Sequence, residues 1–160
     1  MIRQAVSGDA AAIAAIWNPI IAETTATFTT EQKDEAVLAE LIADRGEAFV
    51  VADEGGFVLG FATYGPFRGG PGYAATAEHS VMLAKEARGR GVGRALLSRL
   101  EVIAQKNGIH VMIAGISGEN EGAIAFHHRM GFAETARMPE VGRKFGHWLD
   151  LVCMQKILNS

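Results

Sequence analysis

The chain has 160 residues, of which 49% are hydrophobic and 21% are charged, and its formal net charge is −3. This length allows one domain with a sizeable core, which we assign to residues 1–160. The absence of a basic block argues against a nucleic-acid partner. No apolar run approaches the roughly 20 residues that span a bilayer, and the first residues lack a secretory signal. The single cysteine, Cys153, excludes an internal disulfide and predicts a cytoplasmic protein.

The first half of the chain predicts two helices and three strands. Apolar residues recur at helical spacing from Ile13 to Ile20, in a helix that Pro19 is expected to limit. A tight glycine turn at 55–56 separates two runs that are predicted to pair as strands. In chain order, the predicted elements are a strand at 2–6, this first helix, a loop at 24–30, a helix at about 33–43, and strands at 48–52 and 57–64.

The second half alternates strands with amphipathic helices. A loop at 65–72 contains four glycines and two prolines. The predicted elements that follow it are a strand at 76–83, a helix at 92–106, a strand at 111–116, a helix at 121–130, and strands at 132–137 and 148–156 that bracket a loop at 139–146. This order predicts an α/β fold around one sheet.

A glycine-rich turn at 88–94 reads Arg-Gly-Arg-Gly-Val-Gly-Arg and lies between a predicted strand and a helix. Glycines let a ligand approach the main chain, and the start of a helix offers free N–H groups to a pyrophosphate. The arginines add positive charge there. An ordinary loop with solvated arginines is the alternative. The turn lacks the Gly-Lys-Ser/Thr of a Walker A loop, and its mid-chain position argues against the dinucleotide-binding fingerprint.

This turn carries a resemblance to a known family. Arg88-x-x-Gly91-x-Gly93 resembles the Gln/Arg-x-x-Gly-x-Gly/Ala motif with which GNAT acetyltransferases bind the pyrophosphate of CoA, and the segment from Asn120 to Gly131-Phe132 resembles their later motif. The resemblance implies the GNAT fold, with a mixed, mostly antiparallel sheet flanked by helices, and acetyl-CoA as co-substrate. The predicted cofactor-binding residues are Val81 and Leu83 (through their backbones), Arg88, Gly89, Arg90, Gly91, Gly93, Arg94 and Asn120.

Four further segments resemble the phosphinothricin and methionine sulfone/sulfoximine acetyltransferases, at 25–28, 76–81, 110–116 and 138–151. The resemblance implies N-acetylation of a small L-amino acid analogue. It also implies a homodimer in which the 139–146 loop contacts the partner subunit. Two departures leave the acceptor open: Phe67 replaces the usual Trp, and Ala74 replaces an arginine. The alternatives are acetylation of a protein N-terminus or lysine, and a CoA-binding sensor without catalysis.

Glu78 is the predicted general base. A free amine has a pKa of about 8 or higher and must lose a proton before it attacks, which suits a carboxylate whose pKa is raised by partial burial. Glu78 begins the strand expected to hold the acyl chain, and the subfamily also has Glu at this place. A strand-edge glutamate facing water is the alternative. His79 points to the opposite face of the strand and is interpreted as structural.

His127 is the second predicted catalytic residue. It lies four residues before Gly131, where many GNAT enzymes have a Tyr that protonates the leaving thiolate and where the subfamily has His. An imidazole can donate that proton, or relay the proton of the amine with Glu78. A core histidine bonded to backbone is the alternative. No other His or Cys stands at metal-ligand spacing from His127 and His128, so no metal is expected.

The acceptor pocket is predicted from four residues. Arg68 offers a fork-shaped partner for an α-carboxylate, with a solvated loop charge as the alternative. Phe28 and Tyr73 are predicted to form apolar walls. Lys144 lies in the loop that most resembles the subfamily and completes the predicted set.

Overall fold

The structure is a computed structural model that describes residues 1–158, and a seven-stranded sheet forms its centre. The strands are β1 (Ile2–Gln4), β2 (Phe49–Glu54), β3 (Phe57–Pro66), β4 (Thr76–Leu83), β5 (Val111–Ser117), β6 (Ala133–Lys144) and β7 (His147–Ile157). The helices are α1 (Ala10–Glu23), α2 (Glu35–Arg45), α3 (Val92–Lys106) and α4 (Glu121–Arg129). The strand order is β1-β2-β3-β4-β5-β7-β6. The pair β4–β5 is parallel and the other neighbouring strands are antiparallel, which confirms the mixed, mostly antiparallel sheet.

Two apolar cores cover the two faces of this sheet. On one face, the leucines of α3 pack with inward-facing residues such as Met112 and Val152. On the other face, α1 and α2 bury Ile13, Trp17 and Phe61. Because side chains alternate along a strand, consecutive residues of β4 face different cores. This alternation decides which side of the sheet each predicted site residue occupies.

The prediction that Pro19 limits the first helix is wrong. Helix α1 continues through Pro19 to Glu23, and the next amide, of Thr24, still donates to Ile20 O at 3.2 Å. A proline in a helix removes one backbone hydrogen bond. The buried side chain of Ile21, which is fully inaccessible to solvent, lies beyond the proline and favours continuation of the helix.

The predicted loop at 139–146 is also wrong, because β6 extends to Lys144. The strand accommodates Pro139 through a break in register between Met138 and Gly142, where Glu140 adopts a positive φ of 59°. A proline inside a sheet is tolerated at such a bulge. The connection to β7 shrinks to a tight turn at 145–146. Within residues 1–158, no helix has the length and apolar character needed to cross a membrane.

The core beneath α3 should respond strongly to truncation. Leu97 is fully buried between α3 and the sheet, whereas Val102 on the same helix is 61% exposed. We expect Leu97→Ala to lower the free energy of unfolding by about 2–5 kcal/mol, since it removes apolar contacts and leaves a cavity. Val102→Ala is the control and should change it by less than about 0.5 kcal/mol. Urea denaturation of both variants measures the difference, and equal effects would contradict this packing.

Candidate active site

The parallel strands β4 and β5 separate soon after they meet. Their register covers Thr76–Glu78 against Val111–Ile113. Beyond this point β4 stays paired with β3, and β5 with β7. The gap opens into a cavity of about 620 Å³ whose lining includes residues 79–83 of β4 and 114–116 of β5. Backbone groups on the gap side of β4 are therefore placed to bond a ligand that enters between the strands.

A second cavity, of about 320 Å³, lies at the start of α3. It shares Leu83, Gly89 and Phe126 with the first, so the two form one groove. Gly89 and Gly91 have positive φ values of 74° and 77°, and Gly91 caps α3 without using a side chain. The free amides at the start of α3 therefore face a groove that side chains leave open, which suits an anion such as a phosphate.

The arginines of the glycine turn have different surroundings. Arg88 lines the cavity between β4 and β5, and Arg94 lines the cavity at the start of α3. Arg90 instead forms an exposed ion pair with Glu54 at 2.5 Å. Arg129, which is not among the residues predicted from the sequence, lines the second cavity together with Arg94. Its position three residues after Phe126, on the same face of α4, was the available signal.

Asn120 caps helix α4 and lines the cavity between the strands. Its side-chain oxygen accepts a hydrogen bond from Ala123 N at 3.1 Å. Capping holds the first turn of α4 at the gap. The amide nitrogen of Asn120 remains to donate to a bound ligand.

His127 and His79 form a buried, hydrogen-bonded pair in the lining of the first cavity. Their Nε2 atoms lie 3.0 Å apart, and His127 Nδ1 lies 2.8 Å from Ala123 O. Because a carbonyl only accepts, we assign the His127 proton to Nδ1, so that His79 Nε2 donates to His127 Nε2. His79 Nδ1 is then an acceptor, and it has no hydrogen-bond partner among the described residues.

Both imidazoles of this pair are held neutral. Burial lowers the pKa of His79 well below its usual range, and the neighbouring His127 lowers it further. Burial also lowers the pKa of His127, although its bond to Ala123 O opposes this effect. His128, the next residue along α4, is exposed.

Glu78 lies on the opposite face of β4, as strand alternation predicts. Its carboxylate occupies the space above Gly115 of β5, where a Cβ would come within 3.1 Å of Glu78 Oε2. Its cross-strand partner on β3 is Gly65. Partial burial raises the pKa of Glu78. A solvent-accessible carboxylate between two glycines is therefore the chemical feature that this face offers beside the gap.

Lys144 and Phe28 lie together on the side of α1. Lys144 is buried, and its Nζ donates to Thr24 O at 2.7 Å, Thr27 O at 2.8 Å and Thr27 Oγ1 at 2.9 Å. All three donors of the ammonium are used, so Lys144 holds the 24–28 loop against β6. Phe28 covers Gly142, where any Cβ would overlap its ring.

Arg68 and Tyr73 line a separate cavity of about 610 Å³ beside the connection between β3 and β4. Phe67 packs between them, with its ring centroid 6.0 Å from that of Tyr73 and 5.6 Å from the guanidinium carbon of Arg68. The sequence predicts one pocket that contains these residues together with Phe28 and Lys144. The structure does not bring the two pairs together in a single cavity. Among residues 1–158, no group of three His, Cys, Asp or Glu side chains could hold a metal ion.

Comparisons with known proteins agree with this architecture. The model of the acetyltransferase (GNAT) family matches residues 14–132. An L-methionine sulfoximine/L-methionine sulfone acetyltransferase of Salmonella typhimurium is 42% identical over 99% of this chain and 95% of its own length. A phosphinothricin N-acetyltransferase of Alcaligenes faecalis is 32% identical over 99% of this chain and 83% of its own. The crystal structure of a GNAT superfamily phosphinothricin acetyltransferase from Sinorhizobium meliloti, in complex with acetyl-CoA, superposes with a TM-score of 0.91 at 35% identity. The superposition covers 98% of this chain and 87% of the Sinorhizobium meliloti chain.

The buried histidine pair should make stability depend on pH. The pKa of His79 is lowered in the folded state, whereas in the unfolded chain it is about 6.5. Below about pH 6.5 the unfolded state therefore binds more protons, so stability is complete above that pH and declines as the pH falls. We expect the free energy of unfolding to be lower at pH 5.5 than at pH 7.5, and His79→Phe to flatten this slope. His128→Gln, at the exposed neighbour, should keep the wild-type slope; an unchanged slope in His79→Phe would refute the assignment.

Proposed function

Because the chain belongs to the GNAT acetyltransferase family, we propose that it transfers the acetyl group of acetyl-CoA to the α-amino group of a small L-amino acid analogue. Methionine sulfone, methionine sulfoximine and phosphinothricin are the acceptors proposed first, since the names of the relatives include them. The observation that carries the proposal is Glu78, an accessible carboxylate with a raised pKa beside the gap between β4 and β5.

The groove fits acetyl-CoA, which supplies the activated acetyl thioester when it is bound. At one end, the positive-φ glycines and the start of α3 suit the pyrophosphate, with Arg88 and Arg94 as its cationic partners. Further along, the backbones of Val81 and Leu83 face the gap and are assigned to the pantetheine arm. The amide of Asn120 is assigned to the cofactor as well. Arg90, paired with Glu54, contributes at most through a rearranged side chain.

Glu78 removes the proton that blocks the acceptor amine. The ammonium form carries no lone pair, and near neutral pH it dominates for a group with a pKa of about 8 or higher. The raised pKa of Glu78 makes its carboxylate a better proton acceptor than an ordinary glutamate. Since the side chain is accessible to solvent, the proton can pass from Glu78 to water after transfer.

The role of His127 as proton donor to the thiolate stays a prediction. Its position in the lining of the gap supports this role. In the assigned tautomer its proton points to Ala123 O, and its Nε2 accepts from His79. His127 can donate from Nε2 only after a proton from solvent has reached that atom, because a neutral His79 that gave up its ring proton would become an imidazolate. We therefore propose that the donor form is the His127 imidazolium, formed with a proton taken up from solvent.

We also propose that the chain forms a homodimer through the β6–β7 hairpin. The exposed fractions there are 57% for Val141, 54% for Phe145 and 56% for Trp148, so the hairpin presents three large apolar side chains to solvent, which we call the hairpin patch. Extended pairing to Lys144 gives the patch a rigid base. The cytoplasmic location stays a prediction that rests on the lone Cys153.

Replacing the proposed base tests the activity directly. With methionine sulfone as acceptor, we expect Glu78→Gln to lower kcat by about 10²- to 10⁴-fold, because the amide cannot accept the proton. The KM for acetyl-CoA should stay near the wild-type value. Acetyl-CoA-dependent release of free thiol measures both quantities. Glu40→Gln, an exposed glutamate on α2, is the control.

The acceptor panel for this assay also contains methionine sulfoximine, phosphinothricin, ordinary amino acids, polyamines and N-terminal peptides. Turnover of peptides alone would replace the amino acid proposal with a protein acceptor. Binding of acetyl-CoA without turnover of any amine would favour a sensor.

Disrupting the hairpin patch tests the dimer. We expect the wild type to sediment as a dimer and Trp148→Glu to sediment as a monomer, since a charge in the patch opposes burial. Val102→Glu places the same charge on an exposed apolar position of α3 and should leave the dimer intact. Analytical ultracentrifugation at micromolar concentration distinguishes the two states. A monomeric wild type would rule out the proposed interface.

A further inference from the structure

Arg45 ends helix α2, and its guanidinium lies on the sheet face that also carries Glu78. Its Nη1 donates to Thr63 Oγ1 of β3 at 2.9 Å. A Cβ added at Gly65 would lie 2.6 Å from Arg45 Nη2, so any side chain at that position would displace the guanidinium. The glycine of β3 therefore leaves the space that Arg45 occupies. Through this space, the end of α2 reaches the last residues of β3.

The charge of Arg45 lacks an anionic partner. Burial lowers the pKa of this guanidinium, and the neighbouring Asp44 opposes the effect only through its charge. None of the carboxylates in the described part of the chain forms an ion pair with Arg45. A guanidinium has five N–H donors, and the structure uses one of them on a neutral hydroxyl. A half-buried cation of this kind favours an incoming anion that can accept the remaining hydrogen bonds.

The register of the sheet places this cation on the same face as the proposed base, above the neighbouring strand. Gly65, beneath the guanidinium, is the direct cross-strand partner of Glu78. In an antiparallel pair, directly opposite residues project from the same face with Cβ positions about 4.5–5.5 Å apart. Arg45 and Gly65 also line the cavity of about 610 Å³ whose lining includes Arg68. The carboxylate of Glu78 leans over Gly115 of β5, so a carboxylate and a guanidinium lie above neighbouring strands of one sheet face without touching each other.

We propose that Arg45 binds the α-carboxylate of the acceptor. An α-amino acid carries its amine and its carboxylate on one carbon atom, so the two groups must meet their partners at adjacent positions. Glu78 faces the amine, and the fork of Arg45 matches the two oxygens of the carboxylate. Arg45 then supplies a guanidinium to a cavity that Ala74 also lines. This inference rests on the proposed function, because it assigns the acceptor of the same reaction.

The test compares two acceptors that differ only in the carboxylate: methionine sulfone and 3-(methylsulfonyl)propan-1-amine. We expect Arg45→Met to raise the KM for methionine sulfone by about 10- to 100-fold, the loss typical of a hydrogen-bonded charge pair. The KM for the simple amine and the KM for acetyl-CoA should not change. Arg45→Lys keeps the charge without the forked geometry, so its KM for methionine sulfone should lie between the values of the wild type and Arg45→Met. Arg99→Met, at an exposed arginine of α3, is the control, and thermal melting checks that each variant folds.

Calorimetric titration with methionine sulfone in the presence of CoA separates this inference from the proposed function. If the wild type binds methionine sulfone without transferring acetyl groups, and Arg45→Met does not bind it, the proposed reaction fails and the carboxylate site stands. If both proteins bind it equally, or if Arg45→Met raises the KM for both acceptors alike, Arg45 has no carboxylate role. A wild type that binds no amino acid overturns the inference as well. If Arg45→Met is unfolded, the comparison of Arg45→Lys with the wild type decides by the same criteria.

Discussion

The separation of two parallel strands is the constraint on which the rest of this structure depends. β4 and β5 pair over three residues and then diverge, and each keeps its other neighbour in the sheet. Unpaired backbone groups inside a protein are costly unless a ligand or water satisfies them. The divergence therefore creates a binding cleft without breaking either outer ladder. The cap of α4 and the glycine turn before α3 both lie at this cleft, so the sheet places them together.

Strand alternation divides the chemistry between the two faces of the sheet. Glu78 and His79 are neighbours in the chain, yet Glu78 lies over Gly115 on one face and His79 packs against His127 on the other. Both are partly or wholly removed from water, but burial shifts their pKa values in opposite directions. It raises that of the acid and lowers that of the imidazole, because in each case it disfavours the charged form. The result is a base that is stronger than an ordinary glutamate and a histidine pair that stays neutral.

Local signals in the sequence were sufficient for most of the elements and for the glycine-rich turn before α3. Glycines with positive φ at 89 and 91 and the apolar face of α3 are short-range features, and the structure contains both. Contacts between distant segments left no such signal. The tethering of the loop at 24–28 by Lys144 joins positions more than a hundred residues apart. The continuation of α1 through Pro19 and of β6 through Pro139 depends on burial and on a bulge, which tertiary packing decides.

Two cationic side chains that are removed from water, Lys144 and Arg45, have different roles. Lys144 has three donors, and the loop that it holds accepts all three, so nothing in its surroundings calls for a ligand. Arg45 has more donors than its single hydroxyl partner can accept, and it borders a cavity rather than a loop. A satisfied buried charge stabilises one geometry, whereas an unsatisfied one lowers stability until an anion arrives. The cost of leaving Arg45 unpaired is thus explained if the pocket binds a carboxylate, and a side chain at position 65 would displace the guanidinium from that place.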